Sequence, residues 1–226
     1  MRFTIRNGWP FPLVVWCALC ACLPDAAAAF QARPGQPVVV AVTLTDGANV
    51  IDFSGPWEVF QDTADANGNA AFRLYTVSDT RDPVHLTGGL TVIPDYTFDN
   101  APPPNLIVVG AQRGSAKLDA WLRAQSAAPG LDAMVGVCTG AFRLGQAGLL
   151  DGKAATTHHD FFDKFEKAYP KAKLERGARF VQGGPHLFTA GGLTSGIDLA
   201  LHVVSLYFGD ATAKRTAAYM EYRQGT

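Results

Sequence analysis

Cys138 stands between Gly136 and Gly140 in the stretch VGVCTGAFRLGQAGLL, residues 135–150, where an apolar run gives way to a helical pattern. A thiol placed this way has the form of a nucleophile elbow, in which small flanking residues let the chain turn sharply from strand to helix and present the nucleophile. The N–H groups at the start of the helix then face the sulfur. They favour thiolate over thiol, so a reactive Cys138 of low pKa is the expectation. The bland alternative is a small buried thiol filling a gap in the core. A gap-filler has no need of glycines on both sides.

Three of the four cysteines lie in the first 22 residues. Arg2 and Arg6 precede the uncharged stretch WPFPLVVWCALCACL, and PDAAAAF follows it. A basic start, an apolar core and a small-residue cleavage site thus appear in the order of a secretory leader. Residues 1–29 are read as that leader, with Ala27 and Ala29 placing the cut before Phe30. Residues 30–226 form the exported chain, periplasmic or secreted. Lipid attachment at Cys22 is the lesser alternative, because LCAC only loosely resembles a lipoprotein box. The apolar run is shorter than the roughly 20 residues that a membrane span needs. Cys17 and Cys20 make a C-x-x-C inside the leader with no second ligand pair downstream, so neither a redox nor a metal role follows. Without the leader Cys138 has no internal disulfide partner. An unpaired thiol in an oxidising compartment is either buried or used.

Nineteen basic against twenty acidic side chains give no basic surplus, so nucleic acid is not an expected partner. After the leader, about 200 residues suffice for one domain with a substantial core. Neither charge runs nor low-complexity tracts follow residue 30, and there is no internal repeat.

The elements that must position the thiol alternate. PVVVAVTLTDG (37–47), FRLYTVSD (72–79), NLIVVGAQ (105–112) and LDAMVGV before the cysteine read as strands. FSGPWEVFQDTADANG, SAKLDAWLRAQSAA and GAFRLGQAGLL read as the helices between and after them. VHLTGGLTVIPDYTF suggests a hairpin about Gly88-Gly89, and ARFVQGGPHLFTAGG suggests another. ATTHHDFFDKFEKAYP passes from a short strand into a helix stopped by Pro170. SGIDLALHVVSLYFGDATAKRTAAYMEY makes one or two helices. Strands alternating with helices imply an α/β fold with a mostly parallel sheet covered on both faces. In such sheets the site lies beyond the carboxyl ends of the strands, where Cys138 falls.

VCTGAFRLGQAGLLDGKAATTHH closely resembles the elbow region of the ThiJ/PfpI superfamily, and VIDFSGPWEVF resembles its first acidic loop. TAGGLTSGIDLALHVV and YFGDATAKRTAAYMEY are similar to the closing segments of the isonitrile-hydratase-like branch, which also includes the sensor domains of AraC-type regulators. The resemblance runs through the whole chain after the leader. It implies a flavodoxin-like three-layer sandwich, in the class I glutamine-amidotransferase-like group, and a homodimer. It also implies a cysteine paired with an acid from the loop after the first strand; the matching position is Asp52. From the sequence alone Asp52 serves equally as the cap of its helix. Glu58, later in that helix, is a secondary candidate.

Thr139 matches the threonine that follows the branch's nucleophile, where its hydroxyl and N–H can orient water or bind developing charge. The protease-like branch carries a histidine there, so a Cys-His peptidase is disfavoured. His158 stands where relatives have a histidine near the thiol; it is a candidate auxiliary, although an isolated histidine is more often structural. Gly110-Ala111 occupies the place of paired glycines in relatives, and its N–H groups could line an oxyanion pocket. Asp198 is expected to cap or charge-stabilise the helix it begins. His158, His159 and Asp160 are not expected to bind metal, because consecutive residues on a strand point to opposite faces. No cofactor or metal is expected.

The function implied is a cofactor-free hydro-lyase that hydrates a small electrophile through the Cys138 thiolate, with Asp52 as acid-base. A glyoxalase acting on α-oxoaldehydes could use the same pair. A non-catalytic exported sensor of a ligand or of redox state is the alternative from another class. The chain stops at MEYRQGT with no helix-turn-helix module, so a transcription factor is not expected.

Overall fold

The computed structural model describes residues 35–223 together with Met1, Phe30, Ala32 and Arg33. The expected leader, with Cys17, Cys20, Cys22, Ala27 and Ala29, lies outside the described residues.

The chain runs β1 (Val38–Thr43), α1 (Val50–Gln61), β2 (Phe72–Ser78), β3 (Val84–His85), β4 (Thr91–Val92), β5 (Tyr96–Thr97) and β6 (Leu106–Val109). It continues through α2 (Ala116–Ser126), β7 (Ala133–Val137), α3 (Gly140–Gln146), β8 (Ala154–Ala155), α4 (Phe162–Ala168) and β9 (Lys173–Leu174). β10 (Phe180–Gly184), β11 (Leu187–Ala190), α5 (Ser195–Phe208) and α6 (Asp210–Tyr219) complete it. Seven strands form one sheet in the order β10-β11-β7-β6-β1-β2-β5. Every neighbouring pair is parallel except β10 with β11. β3 and β4 make the hairpin expected about Gly88-Gly89, outside the main sheet.

The continuous apolar runs of β1, β6 and β7 are explained by burial on both faces. Val40, Val42, Leu106, Val108, Val135 and Val137 point to one side, against Val59 and Phe60 of α1 and Leu199, Val203 and Tyr207 of α5. Ala41, Ile107, Val109 and Met134 point to the other, against Leu118, Trp121 and Leu122 of α2, Leu144 of α3 and Phe165 of α4. This is the flavodoxin-like sandwich expected from the sequence. α2 starts where Ser115 Oγ accepts the Leu118 N–H at 3.0 Å. Leu118 and Leu122 are fully buried, which is worth about 2 kcal/mol each. α5 and α6 are separate helices, broken at Gly209, whose φ of 81° lies in the left-handed region.

Candidate active site

The strands β6, β7 and β11 lie side by side and end at Gly110, Cys138 and Gly191, so their following loops meet at one edge of the sheet. Cys138 is the elbow its sequence suggests. Its φ is 57°, a conformation that costs a non-glycine residue about 1–2 kcal/mol. Neighbouring backbone over-determines it. The Cys138 N–H donates to Gly191 O at 2.9 Å, and its carbonyl accepts from Thr157 Oγ1 at 2.8 Å. Gly140 permits the close packing, since a Cβ there would lie 2.0 Å from Val109 O.

Asp52 reaches the thiol from above β6. It is inside the first turn of α1, not at its cap: Asn49 holds the cap position. The start of α1 and the end of β6 clamp each other, with the Asn49 N–H donating to Ala111 O at 2.8 Å and the Ala111 N–H donating to Asp52 Oδ2 at 3.0 Å. Gly110 is required beneath it, because a Cβ there would lie 2.9 Å from Asp52 Cβ. Pro56, four residues on, has no N–H to offer the Asp52 carbonyl, which loosens the helix at this point. The carboxylate is fully buried. Its Oδ1 has no aligned hydrogen-bond partner, but the Cys138 thiol lies beside the carboxylate, close enough for each to alter the other's proton affinity.

Burial of the thiol, with that proximity second, corrects the expectation of a low-pKa thiol. Burial, and then the charge of Asp52, push the Cys138 thiol up to about 11, against the opposing N–H groups of Thr139 and Leu193. Burial raises Asp52 to about 6, although the Ala111 N–H and the thiol favour its charged form. Near neutral pH the carboxylate is therefore ionised and the sulfur keeps its proton. The short helix α3 does not overcome a buried carboxylate at the sulfur.

The remaining candidates divide. Thr139 turns its N–H to the sulfur, and its hydroxyl makes no capping hydrogen bond to α3. The Ala111 N–H is engaged by Asp52 and is not a free oxyanion donor. Glu58 is exposed six residues further along α1 and is not brought to the site. His158 is half-buried on the rim, its ring lying over Gly192, where a Cβ would be 2.2 Å from its Cδ2. Asp198 does not cap α5, which Thr194 precedes, but as the fourth residue it is the acid of the first turn, as the charge-stabilising role requires, and it accepts from Arg179 Nε and Tyr222 Oη. His158, His159 and Asp160 do not alternate on a strand; they open a 3-10 turn, and their ligand atoms lie within 4.8 Å of one another. Sequence reasoning missed Leu193, whose φ of 53° aims its N–H at the sulfur. Its signal was Gly191-Gly192 at the end of β11, the strand beside the elbow.

The sequence profile of the DJ-1/PfpI family matches residues 38–206. Isonitrile hydratase of Pseudomonas putida is 33% identical over 178 residues, covering 76% of this chain and 73% of that protein. An HTH-type transcriptional regulator of Pseudomonas aeruginosa is 27% identical, covering 77% of this chain and 48% of the regulator. The chain thus spans about half the length of that regulator. A ThiJ/PfpI family protein from Pseudomonas syringae superposes with a TM-score of 0.70 at 26% identity, covering 84% of this chain and 77% of that one. An AraC family transcriptional regulator from Pseudomonas putida has the same fold, with a TM-score of 0.70 at 22% identity, covering 81% of this chain and 100% of that one.

Proposed function

The chain belongs to the DJ-1/PfpI family, and from that premise we propose that it is a cofactor-free hydro-lyase of the isonitrile-hydratase type, with Cys138 as nucleophile and Asp52 as proton carrier. The observation that carries this reading is the buried carboxylate, held by the Ala111 N–H beside a thiol that keeps its proton. Such a pair suits an electrophile that needs a nucleophile and a proton together. As sulfur bonds to the terminal carbon of R–N≡C, the thiol proton passes to Asp52 and from there to the same carbon, giving the thioimidate S–CH=N–R. Asp52, again a carboxylate, takes a proton from water as its oxygen adds to that carbon and passes it to the nitrogen. The hydroxyl proton returns to sulfur as the C–S bond breaks. The product is the formamide R–NH–CHO, with the thiol and carboxylate restored. Thr139, through its hydroxyl, orients the attacking water.

A second reading has one observation in its favour: a relative aligned over the same length is a transcriptional regulator. In that reading the site binds a ligand without turnover. Purified protein is to be assayed with small alkyl isonitriles and with methylglyoxal, beside Cys138→Ser. Formamide release that disappears in the variant is the expected result. Turnover of methylglyoxal alone would assign the glyoxalase reaction instead. Ligand binding without turnover would favour sensing.

A further inference from the structure

We propose that His158, His159 and Asp160 form a binding site for a divalent first-row transition metal ion of the zinc and copper class, beside the loop of residues 191–193 that packs on Cys138. The chain leaves β8 in extended form, and at His158 it turns into the 3-10 turn His159–Phe161. The turn gathers side chains that a strand would have separated. His159 Nε2 lies 3.2 Å from Asp160 Oδ1, and His158 Nδ1 lies 3.8 Å from Asp160 Oδ2. Ligands at about 2.0–2.2 Å around a tetrahedral ion stand roughly 3.3 Å from each other; the carboxylate is near that spacing from each imidazole, and all three ligand atoms lie within 4.8 Å of one another, so small side-chain rotations close the site.

The histidine that would move least is already set. The Asp160 N–H donates to His158 Nδ1 at 3.2 Å. The ring proton is thereby placed on Nε2; the His158 and His159 rings stack at 4.4 Å, so an ion takes the Nδ1 lone pair from the Asp160 N–H and the exposed His159 ring turns to meet it. That hydrogen bond is long, and an ion displaces it at small cost. The His158 side chain is 17% exposed, fixed over Gly192 and edge-on to Phe161 at 5.9 Å, whereas His159 and Asp160 are 75% and 69% exposed. One ligand is preorganised and two are open to solvent, from which water completes the coordination. Two imidazoles and one carboxylate select zinc, copper or nickel over calcium or magnesium.

The site does not depend on the hydratase reading. The test uses the full protein and Zn²⁺ alone, followed by calorimetry, with Co²⁺ absorption as a second readout. Cys138→Ser removes the competing thiol, while His159→Asn and Asp160→Asn each remove one exposed ligand. Expected is one ion per chain, bound equally by wild type and Cys138→Ser, and about tenfold or more weaker in the other two variants. Melting temperatures of the metal-free variants should match wild type. Loss of binding in Cys138→Ser would assign the ion to the thiol and overturn the proposal. Binding unchanged in both His159→Asn and Asp160→Asn, or no binding at all, would overturn it too.

Discussion

At the scale of single residues, Cys138 and Asp52 act as one titrating unit. Burial raises Asp52 from 3.8 to about 6, so the folded chain binds that proton more tightly than the unfolded chain. The resulting stability is complete below pH 3.8 and is lost as pH rises through about 6. A shift of that size corresponds to on the order of 3 kcal/mol. Asp52→Asn mimics the neutral acid and can still accept the Ala111 N–H. Its stability should match wild type near pH 4 and exceed it at pH 8, by up to about 3 kcal/mol in urea unfolding. A difference independent of pH would contradict the buried charge. Turnover should show the opposite dependence: the wild-type rate falls below about pH 6 as the base protonates, and Asp52→Asn loses about 10²–10⁴ in rate. Iodoacetamide should alkylate Cys138 at pH 7.5 more slowly than a free cysteine of pKa about 8.5. The rate should climb without a plateau up to pH 10, and Asp52→Asn should raise it by removing the neighbouring charge. A plateau near neutral pH would restore the thiolate that the elbow alone suggests.

At the scale of elements, two glycines separate folding from positioning. An alanine at Gly140 presses its Cβ on Val109 O, backbone against backbone, so Gly140→Ala should cost about 3 kcal/mol or more in unfolding experiments. An alanine at Gly110 meets Asp52 Cβ at 2.9 Å and the Asp52 backbone only at ordinary contact distance, 3.5 Å or more, so Gly110→Ala should cost less, about 1–2 kcal/mol. Displacing Asp52, it should still lower turnover about 10²-fold. Equal losses of stability in the two variants would show that Asp52 yields no more than the Val109 backbone does, and would overturn the separation of folding from positioning. Much of this layout was legible in the sequence. The apolar runs VVVAV and LIVV announced central strands, and Leu118, Trp121 and Leu122 announced the buried face of α2. The elbow was legible because glycine marks a close approach whatever the fold around it. Leu193 had only the indirect signal of Gly191-Gly192 before it, because its contribution is a backbone N–H, to which its side chain gives no clue. The turn at His158–Asp160 was missed by extending strand alternation past β8. The proton affinity of Cys138 was missed because burial depends on α1, which closes over β6 from a distant part of the chain.

At the scale of the whole molecule, the described chain is tied at its start. The Phe30 ring meets Tyr207 edge-on at 4.9 Å and Phe188 at 6.0 Å, so it docks between α5 and β11 on the same side of the sheet as α1. Among the described residues no helix is long and apolar enough to cross a membrane. We propose that export removes residues 1–29 and leaves Phe30 as the first residue, its ring still docked. Cleavage a few residues later would discard aromatic contacts worth about 0.5–1.5 kcal/mol each. The intact mass of protein recovered from the periplasm should therefore begin at Phe30. In the shortened chain Phe30→Ala should lower stability by about 1–3 kcal/mol, less than a fully buried phenylalanine because the ring is only half-buried. It should leave iodoacetamide reactivity unchanged, since Cys138 is held by β11 backbone and not by this ring. A full-length chain recovered from the cytoplasm would refute the leader. Normal melting of Phe30→Ala would refute the docking, and an altered thiol rate would show that the start of the chain reaches the site through β11.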